Sequence, residues 1–136
     1  MRTAKYKLTE ETINVNGITL YRIEALKDFS DVKKGDKGGF LEKEYNLSQE
    51  DNCWVYGNAK VYDDAVVYGN AEVFGNAVVC GHSKVCGNAI VYGRAKVCEN
   101  AKVRNEAKVH DDAVVCDNAE VYGNAVICGN MKICHK

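Results

Sequence analysis

Proline is absent from the 136 residues, and no long hydrophobic run occurs. Without proline, every residue of a predicted strand keeps the backbone N–H that a sheet requires. No apolar stretch approaches the length that crosses a membrane, and the segment Met1–Lys7 is too polar for a signal peptide. We therefore expect a cytoplasmic protein that has no membrane segment.

An excess of either charge is also missing, since 18 Lys and Arg stand against 19 Asp and Glu. Nucleic-acid binding needs a basic stripe, so we expect no nucleic-acid partner. Seven cysteines occur without any Cys-x-x-Cys pair, which argues against a zinc ribbon or a thioredoxin-like motif. Their odd number and the polar N-terminus favour reduced thiols.

What the chain does have is a repeat. Thirteen consecutive six-residue units with the pattern V-x-G/D-N-A-x run from Val55 to Lys132. Alanine and the valine two residues later point to the same side of an extended strand, so we expect them to form a narrow core. Gly-Asn then forms the corner, because glycine accepts a positive φ and asparagine tolerates it. Such regularity predicts coils that bury their apolar faces against one another.

This pattern resembles the hexapeptide-repeat family, from Val55 to about residue 136. The resemblance implies an all-β fold: a left-handed parallel β-helix of triangular section, with 18 residues per coil. Residues 49–136 would supply a little over four coils, and residues 1–48 a small β-rich cap with a hairpin turn at Asn16–Gly17. The whole chain also resembles short Gly-Asn-Ala-rich repeat proteins that phages and prophages often carry.

Side chains 18 residues apart should stack in columns on three outer faces. The first face is the most apolar, and a contiguous exposed aromatic patch usually marks an interface. Aromatic residues also favour strands and stack on one another without any partner, which is the alternative. The predicted interface, with a foreign protein or with a second copy, contains Trp54, Tyr56, Phe74, Ile90, Tyr92, His110, Val126 and Cys128.

A column of cysteines marks the second face. Its thiols would lie about 5 Å apart, which leaves open inert stacked thiols, disulfides between adjacent coils, and a soft-metal site. A linear row does not surround a metal tetrahedrally, so we predict no metal and no cofactor. The column consists of Cys80, Cys98, Cys116 and Cys134.

The last coil is a second predicted contact surface. Its residues are bulkier than the usual alanine and valine, so they either plug the end or meet a second chain about a two-fold axis. We expect a homo-oligomer, with a dimer preferred and the family's trimer as the alternative. The residues concerned are Met131, Lys132, Ile133 and Cys134.

Many hexapeptide-repeat proteins are acyltransferases that use coenzyme A or a carrier protein. Their catalytic histidine lies beside a loop that interrupts the coils, and no loop interrupts these thirteen units. The three histidines fall on different columns: His82 at a corner, His110 on the first face and His135 in the tail. The sequence therefore favours a protein without catalytic residues.

The prediction is a non-enzymatic protein-binding scaffold that works through the first face. The phage likeness suggests one form of it, an inhibitor of a host defence protein. An acyltransferase-like enzyme or remnant is the first alternative, and a self-assembling structural element is the second.

Overall fold

The computed structural model describes residues 4–135, which are almost entirely strand and turn. Within that range no helix is long and apolar enough to cross a membrane. The N-terminal elements are β1 (Tyr6–Val15), β2 (Ile18–Ala25), β3 (Lys37–Leu41) and a 3-10 helix, η1 (Glu44–Asn46). The repeat elements are β4 (Trp54–Val55), β5 (Lys60–Val61), β6 (Val66–Val67), β7 (Glu72–Val73), β8 (Val78–Val79), β9 (Lys84–Val85), β10 (Ile90–Val91), β11 (Lys96–Val97), β12 (Lys102–Val103), β13 (Lys108–Val109), β14 (Val114–Asp117), β15 (Glu120–Val121), β16 (Val126–Ile127) and β17 (Lys132–His135).

The chain winds through three parallel sheets. Their strand orders are β3-β5-β8-β11-β14-β17, β16-β13-β10-β7-β4 and β15-β12-β9-β6, and the first sheet continues into β2 and β1. Strand and corner N–H groups donate to carbonyls of the next coil, as from Tyr56 to the Val73 carbonyl at 2.8 Å, whereas the alanine N–H closes its own corner, as from Ala59 to the Tyr56 carbonyl. The predicted parallel β-helix is confirmed, whereas its left-handed winding is implied by the resemblance and stays a prediction.

The β-helix contains about five turns, more than the repeat alone predicts. Strands β1 and β2 form an antiparallel hairpin around Asn16–Gly17, and β2 pairs antiparallel with β3. Strand β3 then pairs in parallel with β5, with Phe40 opposite Lys60. The non-repetitive segment therefore adds an irregular first coil, while the domain division at residue 48 stays a prediction.

Alanine and valine fill the core, as the repeat predicts. From Val55 to Val115 these inward positions have no exposed surface. In the last coil Ala125, Ile127 and Ile133 are only half-buried, because that coil has one neighbour instead of two.

Every corner of the repeat depends on a left-handed residue. The third residue of all thirteen units has a φ between 56° and 70°, from Gly57 through to Gly129. Eight of these residues are glycine, and Asp63, Asn105 and Glu99 are among the five that are not. Aspartate and asparagine tolerate this region better than other side chains, which explains why they replace glycine here.

Trp54 does not lie on the outward face, so its assignment to the first-face interface is wrong. Its side chain is only 1% exposed. The rings of Tyr6 and Phe29 meet it edge-on, with centroids 6.1 and 5.2 Å away. The N-terminal segment covers the first strand of the repeat, and Trp54 belongs to the core between them.

A buried lysine ties the N-terminus to that first coil. The Lys5 ammonium donates to the carbonyls of Cys53, Glu50 and Asp51 at 2.7, 3.1 and 3.2 Å. Burial lowers the pKa of Lys5, since water no longer solvates its charge. The three carbonyls take over part of that solvation.

Replacing Trp54 by alanine tests the correction. We expect Trp54→Ala to lower the free energy of unfolding by about 3–5 kcal/mol, because it leaves a cavity between cap and coil. Chemical denaturation measures the loss. The matched control is Tyr122→Ala, since the Tyr122 side chain is 57% exposed and its removal should cost about 1 kcal/mol or less. Equal losses in the two variants would contradict the buried position of Trp54.

Candidate functional site

The other seven predicted residues of the first face do share that face. Phe74, Tyr92 and His110 stack in parallel, with centroid distances of 4.9 and 4.8 Å and interplanar angles of 10°. Tyr56 meets Phe74 edge-on at 6.1 Å and donates its hydroxyl to Asp31 at 3.0 Å. The rings are half-buried because each covers its neighbour. Use of this face as an interface stays a prediction. The remaining members are Ile90, Val126 and Cys128.

His110 also contacts a carboxylate. Its Nδ1 lies 3.3 Å from Oδ1 of Asp111, the corner residue that follows it. The second oxygen of Asp111 accepts the Gly129 backbone N–H at 3.0 Å. The Gly129 hydrogen bond and, after it, the His110 contact hold the pKa of Asp111 below its usual value.

The cysteine column is not a uniform row of thiols. Cys116 and Cys134 form a disulfide between adjacent coils, across a Cα separation of 4.6 Å. Stacking in parallel register brings the two Cα atoms into the range that a disulfide spans, so the expectation of reduced thiols is wrong for this pair. Cys80 and Cys98 remain thiols, and burial raises the pKa of Cys80 to about 11.

The predicted contact residues of the last coil remain accessible. Met131 and Lys132 are exposed, whereas Ile133 and Cys134 are half-buried. Their role as an oligomer contact stays a prediction.

A cleft that the sequence did not predict lies where the N-terminal segment meets the repeat. Lys43, Tyr45, Asp64, His82 and Lys84 line this His82 cleft, whose volume is about 370 Å³. Oδ2 of Asp64 lies 3.6 Å from Nδ1 of His82, and Oδ1 accepts a hydrogen bond from the Lys43 ammonium at 2.8 Å. The cleft thus combines an imidazole, a carboxylate that contacts it and an exposed aromatic ring.

A buried asparagine holds the wall of the cleft. The Asn46 side-chain oxygen accepts the backbone N–H groups of Glu42 and Lys43 at 3.1 and 2.9 Å. Its amide donates to the carbonyls of Asp63 and Ala65 at 3.2 and 2.7 Å. Both flanks of the cleft are therefore fixed to the same side chain. Asp64 and His82 occupy equivalent corners because they are 18 residues apart.

Lys43 and Asp64 stabilise each other's charged forms. Their hydrogen bond holds the pKa of Asp64 below its usual value and raises that of Lys43. Asp64 is consequently ionised at neutral pH. The pair's contribution is lost as the pH falls through the lowered pKa of Asp64, and also as the pH rises through the raised pKa of Lys43. An ionised Asp64 is what the neighbouring imidazole needs in order to be oriented.

A departure from the repeat could have revealed this cleft. The unit Val79–Lys84 reads V-C-G-H-S-K, and it alone has His at the Asn position and Ser at the Ala position. Ser83 is fully buried, and its hydroxyl donates to the Cys80 carbonyl at 2.7 Å. The substitutions mark the corner where the site forms, but the contribution of Lys43 and Tyr45 leaves no periodic signal.

Comparison with known proteins gives a distant relative. No protein-family model matches the chain. An uncharacterized acetyltransferase of Escherichia coli K12, YdcK, is 40% identical over 60 residues. The match covers 38% of this chain and 18% of the relative, so it spans less than a fifth of that protein. Together with the parallel coils, the relative fits the hexapeptide-repeat resemblance. The phage likeness stays a prediction.

The relative also corrects a functional prediction. The sequence favoured a non-enzymatic protein, whereas a relative named as an acetyltransferase points to an enzyme family. The argument against an enzyme relied on the missing loop between coils. In the structure the N-terminal segment walls a cleft instead, so an uninterrupted repeat does not exclude a site.

The disulfide yields a direct prediction. In unfolded but unreduced protein, five thiols should react with an alkylating reagent, against seven after reduction. Cys116→Ser should lower the free energy of unfolding by about 3 kcal/mol, because the bond closes an 18-residue loop. Mass spectrometry counts the thiols, and Cys98→Ser is the matched control. Seven reactive thiols before reduction would rule the bond out.

Proposed function

We propose that the protein is an acyltransferase that takes its acyl group from a thioester such as an acyl-coenzyme A. The contact of His82 with Asp64 inside a concave surface is the observation that carries the proposal. The relative named as an acetyltransferase and the hexapeptide-repeat resemblance support the same reaction class.

His82 is the general base in this proposal. In this proposal the 3.6 Å separation between Asp64 Oδ2 and His82 Nδ1 shortens to a hydrogen bond when substrate binds. Nδ1 then keeps its proton, and Nε2 carries the lone pair that takes a proton from the acceptor. The acceptor nitrogen or oxygen attacks the thioester carbonyl, the C–S bond breaks, and the thiol leaves with the proton that His82 returns. The His82 side chain is 70% exposed, so an acceptor reaches it directly.

Two neighbouring lysines suit the phosphates of the donor. Lys84 lines the cleft, and Lys102 lies directly opposite it on the next strand, β12. Like charges in register repel each other, and a bound polyanion relieves that cost. Lys43 does not take this role, since it is paired with Asp64. The exposed ring of Tyr45 offers a surface on which a purine can stack.

Substitution of His82 tests the proposal. His82→Asn should lower kcat/KM for acyl transfer by about 10²- to 10⁴-fold, the usual contribution of a general base. Lys84→Ala should raise KM for acyl-coenzyme A and leave kcat nearly unchanged. Chromatography of the released coenzyme A measures both, and His135→Asn, outside the cleft, is the control. Absence of any turnover, together with no effect of acyl-coenzyme A on Tm, would refute the proposal.

A second proposal concerns the first face. We propose that two copies associate through it, because three stacked rings continue into Val126, which is 48% exposed. Binding of a foreign protein, such as a host defence protein, is the competing use and stays a prediction.

Tyr92→Glu tests this association, since it places a charge in the middle of the ring stack. We expect light scattering on a sizing column to show a wild-type dimer and a folded Tyr92→Glu monomer. Lys96→Glu, on the second face, controls for the added negative charge. A wild-type monomer would exclude self-association, and a dimer that survives Tyr92→Glu would move the contact to another surface.

A further inference from the structure

A second group of reactive side chains lies away from the His82 cleft. His110, Asp111 and Cys128 each offer one donor atom, and the three atoms lie within 4.8 Å of one another. Imidazole nitrogen, carboxylate oxygen and thiolate sulfur are the three protein ligands that zinc takes. We call these three residues the His110 cluster.

The stacking of coils creates the cluster. Strands β13 and β16 pair with Val109 opposite Ile127, so His110 and Cys128 are neighbours in one column. Asp111 has a φ of 60°, and this left-handed corner brings its carboxylate back to the imidazole. The three donors thus form a triangle, unlike the linear cysteine column of the second face.

The surroundings hold two of the donors in place. Stacking on Tyr92 at 4.8 Å fixes the plane of the His110 ring. The Gly129 N–H binds Oδ2 of Asp111 at 3.0 Å and leaves Oδ1 directed at Nδ1 of His110, 3.3 Å away. Such hydrogen bonds to a ligand are what orients carboxylates and imidazoles in metal sites.

We propose that the His110 cluster binds a zinc-class divalent ion, with the Cys128 thiol releasing its proton when the metal binds. Ligand atoms around tetrahedral zinc lie about 3.5 Å apart, from bonds of about 2.0–2.3 Å. The donor atoms of the His110 cluster lie within 4.8 Å of one another, so side-chain rotations that move these atoms by about 1 Å would bring them to the zinc spacing. Three protein ligands leave one coordination position open to water or to a ligand. The site is independent of the acyltransferase proposal.

A second triangle in the structure provides a comparison. Cys116, Asp117 and Cys134 also place their donor atoms within 4.8 Å of one another, and Asp117 has a left-handed φ of 56°. Cys116 and Cys134 are joined in the disulfide and offer no thiolate, so this second triangle does not bind metal while the bond is intact. The test is therefore made on the unreduced protein.

Cobalt(II) is the probe, because a thiolate ligand gives it a charge-transfer absorption that oxygen and nitrogen ligands do not. Unreduced wild type should bind one equivalent of cobalt with this absorption, and zinc should displace it. Cys128→Ser should abolish the absorption, whereas the matched control Cys98→Ser should keep it. Loss of a residue that only hydrogen-bonds to a metal ligand typically weakens metal binding by roughly 10- to 100-fold. His110→Asn removes a ligand itself and should raise the Kd for zinc by more than that.

Three results would overturn the proposal. They are no saturable binding by the folded wild type, a thiolate absorption that persists in Cys128→Ser, and one that disappears in Cys98→Ser. Circular dichroism checks that each variant is folded. Asp111→Asn is a second variant of the His110 cluster, because its amide oxygen can still accept the Gly129 hydrogen bond. Acyl transfer is not part of the readout, so failure here leaves the proposed reaction untouched.

Discussion

The left-handed residue at the third position of each hexad is the constraint on which the rest of the structure depends. It turns the chain at a fixed interval, so that three hexads close one coil and residues 18 apart come into register. The inward alanine and valine then meet their equivalents, and the backbone of each coil bonds to the next. Aspartate adopts this backbone conformation more readily than most other side chains and adds a carboxylate. Asp111 therefore serves both the fold and the His110 cluster.

The N-terminal segment supplies the part of the His82 cleft that the regular repeat does not contain. Lys43 and Tyr45 of this segment line the His82 cleft beside Asp64, His82 and Lys84 of the repeat. Asn46 fastens the 3-10 helix to the corner at Asp63, and that contact raises a wall beside His82. Lys5 and Trp54 fasten the rest of the segment to the first coil. The His82 cleft consequently has this lining only when the cap is packed on the first coil.

The periodic part of the structure was predictable, and so was the hairpin around Asn16–Gly17, but the packing of the remaining non-periodic residues was not. Val55 to Val115 followed from the hexad pattern, because every unit meets the same neighbours. The exposure of Trp54 was predicted wrongly, because the hexad pattern contains no information on which residues cover the first coil. The bond between Cys116 and Cys134 was only one of three alternatives, since column spacing alone does not separate a bonded pair from stacked thiols. The His82 cleft needed Lys43 and Tyr45, which belong to no repeat.

The fixed 18-residue register also governs how such a gene can change in length. Tandem duplication of one whole coil between the His82 cleft and the His110 cluster would move them apart by about 4.8 Å and leave each intact. Gain or loss of a single hexad would rotate every later side chain onto a different face, and between Asp64 and His82 it would also separate those two side chains. Selection should therefore accept insertions of a full coil and remove the shorter ones, so lineages of this architecture would differ in steps of one turn.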